Sequence, residues 1–109
     1  MPTDADLVLV LTTEADQERA EALARVLLER RLAACVSLHP VLSLYHWQGR
    51  LERGREVQLL IKTLAHQLDA LEAAVRERHS YCTPEWIHWP ARCGAGYGAW
   101  LLESGSNAS

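Results

Sequence analysis

Residues 56–64 read EVQLLIKTL, and Leu59, Leu60 and Ile61 stand side by side in this strand-like run. Successive side chains of a strand point to opposite faces, so the run is apolar on both sides of its pleat. A strand of that kind belongs inside a sheet with cover on each face. Just upstream, QGRLERGR (48–55) carries two glycines and three arginines and is expected to be the exposed turn of a hairpin. Before it, AACVSLHPVLSLYHW (33–47) has β character with Pro40 in its middle. Proline cannot donate to a ladder, which predicts an edge strand bent or bulged at that point. Downstream, Leu64, Leu68, Leu71 and Val75 recur at helical spacing, predicting a helix to about Arg78 with Glu72 and Arg76 paired on its wet side.

The outer segments complete the order. LVLVL (7–11) is a second strand that does not alternate, and Ala20, Leu23, Ala24, Leu27 and Leu28 form one stripe of a helix beginning near Asp16. EWIHW (85–89), fenced by Pro84 and Pro90, predicts a short last strand on an edge; GYGAWLLE predicts a brief helix and SGSNAS a frayed, flexible tail. The succession is β-α-β-β-α-β, an α+β ferredoxin-like sandwich with a short C-terminal helix. Its two main helices cover one face of the sheet. No third long helix is available for the other, and a second copy of the chain is the simplest cover.

With 109 residues the chain is expected to be one domain, its core spanning about 7–102. A net charge of −3 offers no basic field for a nucleic-acid backbone. MPTDAD has neither a basic segment nor an apolar run, which points to no membrane partner and a cytoplasmic location. Cys35, Cys82 and Cys93 are an odd set without regular spacing and suit free thiols in a reducing compartment.

Chemistry-bearing residues gather in two stretches. Tyr45 and Trp47 share one strand face and suit an aromatic platform for a ligand or the docking of a neighbouring subunit; Glu56 and Lys62 also share a face and suit a cleft for an anionic or polar ligand or pairing with charges across subunits. The second stretch is RHSYCTPEWIHWP (78–90), where His79 and Cys82 offer an imidazole and a thiol of the types that bind copper or zinc, with Glu85 adding an oxygen. A structural zinc site wants four ligands, so the stretch is expected to be mainly a helix end, a turn and an edge strand. Cys35 is expected to be a buried small hydrophobe, His39 and His46 structural or solvated, and His66 wet. No phosphate-binding glycine loop, H-E-x-x-H or nucleophile elbow occurs, and the chain is read as a non-enzyme.

Five of these motifs, LAACV (32–36), SLYHWQG (43–49), EVQLLIKT (56–63), H-x-Y-x-T-P-E (79–85) and Y-x-x-W (97–100), resemble the CutA family of divalent-cation-tolerance proteins in order and spacing. The resemblance implies a ferredoxin-like protomer in a PII-like homotrimer, cytosolic in bacteria and linked to tolerance of copper and other divalent metals. Tyr45, Trp47, Glu56, Lys62, His79, Tyr81, Glu85 and Trp100 are expected to gather near the junction between protomers, because the edge hairpin and the segment after the second helix are the parts best placed to reach a neighbour, and the family motifs fall on these same segments. Thr12 and Arg78 stand where some members carry a copper-associated cysteine and a second histidine, and HSY (79–81) replaces the family's HPY. Of the inherited ligands only His79 is left, with Cys82 as its possible local partner; no cofactor is required. The alternative reading is a signalling module that binds a small polar metabolite in clefts between subunits.

Overall fold

The structure, a computed structural model, describes residues 7–105. Its elements are β1 (Leu7–Glu14), α1 (Gln17–Glu29), β2 (Cys35–Trp47), β3 (Arg50–Leu64), α2 (Leu68–Arg78), β4 (Ile87–Pro90) and α3 (Ala95–Gly105), with one 3-10 turn, Ala65–Gln67, ahead of α2. The strands form one antiparallel sheet in the order β2-β3-β1-β4. This is the ferredoxin-like arrangement read from the sequence.

Local signals explain the boundaries of α1. Asp16 sits in extended conformation and accepts the N–H of Arg19 at 2.8 Å, a helix N-cap. At the other end Arg31 adopts φ 55, while Leu32 donates to the Leu27 carbonyl and Arg31 to that of Leu28. This is a Schellman closure with arginine in the left-handed position usually held by glycine. The core lies between the helices and one face of the sheet: Val10, Leu59 and Ile61 pack with Leu27, Leu71 and Val75. On the opposite face α3 covers only one end, where Leu101 packs with Leu7 and Leu64. At Gly105 the backbone of α3 lies so close to Ala34 that a methyl group there would collide with it.

The hairpin departs from expectation in two ways. Its turn is Gln48 and Gly49 alone, both with positive φ, and β3 starts at Arg50, so Arg50–Arg55 is strand and not turn. Two left-handed residues in succession are what a tight primed turn needs, and the remaining residues are free to continue the ladder. Pairing then runs without interruption from Trp47↔Arg50 to Cys35↔Lys62, and Pro40 faces Val57 in register. The expected bend or bulge is absent; β2 is an edge strand, where a missing donor is tolerated without one. The tail is also shorter than expected, since Ser104 and Gly105 finish α3, and residues 106–109 of the predicted tail lie outside the described residues.

Because β1 stops at Glu14, opposite Val57, the outer half of the hairpin has no third strand beside it. It projects as a two-stranded arm, and the molecule measures 48 Å along its longest axis. The arm carries exposed Leu42, Leu44, Tyr45, Trp47 and Leu51.

Candidate functional site

The site lies where the arm leaves the sheet. From Glu56 inward, odd and even residues of β3 face different worlds: Val57, Leu59 and Ile61 enter the core, whereas Glu56, Gln58, Leu60 and Lys62 face the side the main helices leave open. The segment after α2 crosses the base of this open face. It is fixed there by a compact set of contacts around Glu14, the last residue of β1.

Glu14 is buried, and its carboxylate accepts the N–H of Ala15 at 2.8 Å, the N–H of Ser80 at 3.0 Å and the hydroxyl of Ser80. Burial by itself pushes its carboxyl up; the hydrogen bonds from Ser80 and Ala15 outweigh it, and the group titrates below the usual range. Beside it the side chain of His79 is fully buried, its Nε2 donating to the Thr13 carbonyl and its Nδ1 accepting the N–H of Tyr81 at 3.0 Å. These partners assign the neutral Nε2–H tautomer, so the 3.8 Å approach of Nδ1 to Glu14 is no ion pair. Ser80 supplies two donors that a proline, which the resemblance implies at this position, would lack.

This knot orients Tyr81, whose hydroxyl donates to Glu56 at 2.9 Å. Burial, then that bond to Glu56, drives the phenol far above its ordinary value, so it remains a proton donor. Around the pair opens a groove of about 810 Å³. Tyr45, Trp47 and Glu56 come from the hairpin; Tyr81, Cys82, Thr83, Pro84 and Glu85 come from the crossing segment; Thr13 closes one end. Burial and the neighbouring Glu56 charge together raise the Glu85 carboxyl.

Of the residues expected in one cleft, Tyr45, Trp47, Glu56, Tyr81 and Glu85 line the groove, and Cys82 joins them. Within a single protomer Lys62 and Trp100 do not. Lys62 lies six residues along β3 from Glu56, about 20 Å away at strand spacing. There its ammonium donates to the Tyr97 hydroxyl at 3.1 Å, which raises its titration, and the Tyr97 and Trp100 rings stand 5.4 Å apart. His79 is not a groove wall but the strut behind it. To ligate a metal it would have to surrender the Thr13 or the Tyr81 hydrogen bond. Among the described residues no three His, Cys, Asp or Glu side chains stand close enough to hold an ion.

His39, His46 and His66 are exposed, as expected of wet histidines, and Cys35 is half-buried where full burial was expected. The chief residue missed by sequence reasoning is Glu14. Its only signal is an acid closing an apolar strand, which alone cannot be told from a solvated strand end.

Comparison with known proteins settles the family. The model of the CutA1 divalent ion tolerance protein family matches residues 8–104. The chain belongs to that family. It is 45% identical over 101 residues to the divalent-cation tolerance protein CutA of Pectobacterium atrosepticum, covering 91% of this chain and 92% of the relative. Among solved structures, CutA of Synechococcus elongatus superimposes with a TM-score of 0.91 at 41% identity, covering 97% of this chain and 95% of its own. CutA1 of Oryza sativa superimposes at 0.89 with 34% identity, covering 95% and 97%. One further relative, from Archaeoglobus fulgidus, is described as periplasmic. Among the described residues here no helix is long and apolar enough to cross a membrane.

Proposed function

We propose that this CutA-family chain works as a PII-like, non-enzymatic homotrimer in the cytoplasm, serving divalent-cation tolerance by binding a small polar ligand in the groove at Tyr45, Trp47, Glu56, Tyr81 and Glu85. The observation that carries the reading is the Tyr81–Glu56 pair, set in place by the buried Glu14–Ser80–His79 contacts. A folded chain that fixes the wall of an open groove with buried polar contacts has preorganised it. The groove's size lies in the range of small-molecule sites.

Self-association is supported by the projecting arm. A lone two-stranded ribbon is marginal in water, and this one exposes Leu44 at 65% and Leu51 at 68%. Leu60 and the exposed Ile87 and Trp89 extend the uncovered apolar surface over the sheet. The number three comes from the resemblance. Three free thiols suit a reducing compartment. The non-enzymatic reading is supported by the family's description as a tolerance protein and by the commitment of the Tyr81 hydroxyl to Glu56.

The second reading, copper held by the chain itself, draws its support from Cys82, an exposed thiol on the groove. His79 supports it less, both ring nitrogens being engaged. Calorimetric titration of metal-free protein with copper, zinc and a panel of small polar metabolites separates the two. Metabolite binding lost in Trp47→Leu upholds the groove; tight stoichiometric copper binding lost in Cys82→Ser and His79→Ala upholds the metal. Light scattering that returns a monomer at micromolar concentration would overturn the trimer.

A further inference from the structure

The strands carry one charge at each end of the open face. Over β1, β4, residues 35–41 of β2 and residues 56–64 of β3, Lys62 is the one lysine or arginine. The acids there are Glu14, sealed under the crossing segment, and Glu56. Glu56 and Lys62 share one side of β3, about 20 Å apart at strand spacing. Half-buried Leu11 and Leu60 and exposed Ile87 lie abreast between them. Glu56 accepts the Tyr81 hydroxyl through one oxygen, and the Lys62 ammonium donates to the neutral Tyr97 hydroxyl; neither has an ion pair among the described residues. Aromatic rings flank both. Exposed Tyr45 and Trp47 line the hollow at the Glu56 end, while exposed Tyr97 and Trp100 stand on α3, raised above the sheet at the Lys62 end.

Resting on the homotrimer and groove readings above, we infer that the groove is one half of a composite site. The α3 end of a second copy is the other half, with Lys62 of the partner subunit bonded to the Glu56 oxygen that Tyr81 leaves free. A closed ring of more than two copies uses heterologous contacts, in which two different patches of each chain meet. This face offers two such patches, opposite in charge and in relief, joined by an apolar strip that head-to-tail docking covers. An ammonium and a carboxylate that meet in such a contact form a charge-assisted hydrogen bond and fix which end meets which. Docking of like ends would set lysine against lysine and glutamate against glutamate, and their repulsion selects against it. The cation expected in the cleft from the sequence is then the partner's, and Lys62 and Trp100 stand away from the groove of their own protomer because they serve the next one.

Lys62 is the only lysine of the chain, which permits a direct test. A carbodiimide joins an amine to a carboxylate in contact with it as an amide, with loss of water, and leaves guanidinium groups unchanged. The full chain, verified by light scattering to be assembled, is treated with the reagent, resolved on a denaturing gel and mapped by mass spectrometry. Chains linked to one another should appear, carrying an amide between Lys62 and Glu56. Strand spacing keeps these two residues about 20 Å apart within one chain, so the link has to join two copies. Lys62→Arg keeps the charge and should still assemble, but its link should be lost; Glu56→Gln should lose the link as well. Assembled protein that yields no such link, or that joins Lys62 to a different carboxylate, would overturn the inference and leave the homotrimer standing. A link that persists in either variant would trace to other groups and refute the pairing. Light scattering that returns a monomer would overturn the homotrimer and the composite site together.

Discussion

Two carboxylates at the same end of the sheet have opposite fates. Glu14 is sealed under the crossing segment, with three hydrogen bonds from Ala15 and Ser80, and its carboxyl is lowered. Glu85, on the far side of that segment, faces a groove beside a like charge and is raised. The chemistry of the side chain is identical, so the difference lies wholly in what the fold offers each one. Glu14 has three of its acceptor positions taken by the chain and is part of the scaffold. Glu85 has no hydrogen bond or ion pair among the described residues. His79 belongs with Glu14, although its residue type invites a metal.

The largest effect should come from breaking the sealed side. Glu14→Ala leaves the Ser80 and Ala15 donors without their acceptor and is expected to cost about 3 kcal/mol in urea unfolding. A loss below about 1 kcal/mol would mean the contacts around Glu14 are not structural. Ser80→Pro removes an N–H and a hydroxyl from Glu14 and should cost about 2 kcal/mol by the same measurement. If it is neutral, the serine is not a functional replacement.

A gain of about 1 kcal/mol is expected from Thr12→Val, because the Thr12 hydroxyl is buried without a hydrogen-bond partner among the described residues, two residues from Glu14. A destabilised Thr12→Val would show that this hydroxyl has a partner in solution. The smallest effect is Glu85→Gln, a stabilisation below about 1 kcal/mol at neutral pH, since an exposed carboxylate is well screened. Its pH dependence is the sharper readout. Glu85 is raised, so its contribution to stability is present below the unfolded value of 4.5 and is lost as pH rises through the folded one. The advantage of Glu85→Gln should vanish in acid. Glu14 runs the other way: its contribution is full above 4.5 and is lost as pH falls through its lower folded value.

Much of the scaffold was legible because its signals are local and periodic. The stripe Ala20, Leu23, Ala24, Leu27 defines α1, and the doubly apolar Leu59–Ile61 puts β3 inside the sheet. The hairpin was misjudged because its exposed arm answers to no core. Arg50–Arg55 carries little apolar pattern, and only the left-handed pair Gln48–Gly49 sets the turn. In the site, Tyr45, Trp47, Glu56 and Glu85 were legible as face-sharing or motif residues. The separation of Lys62 was not, because sharing a strand face does not limit distance along it. Nor could spacing reveal that both His79 nitrogens are taken, one by a carbonyl 66 residues away in sequence.

The contrast between the two carboxylates can be read directly from carbon-13 titration of the glutamate side chains by NMR. Glu14 should titrate below 4.5 and Glu85 above it. A Glu85 that titrates at or below 4.5, or a Glu14 that titrates at or above it, would contradict the division between scaffold and site.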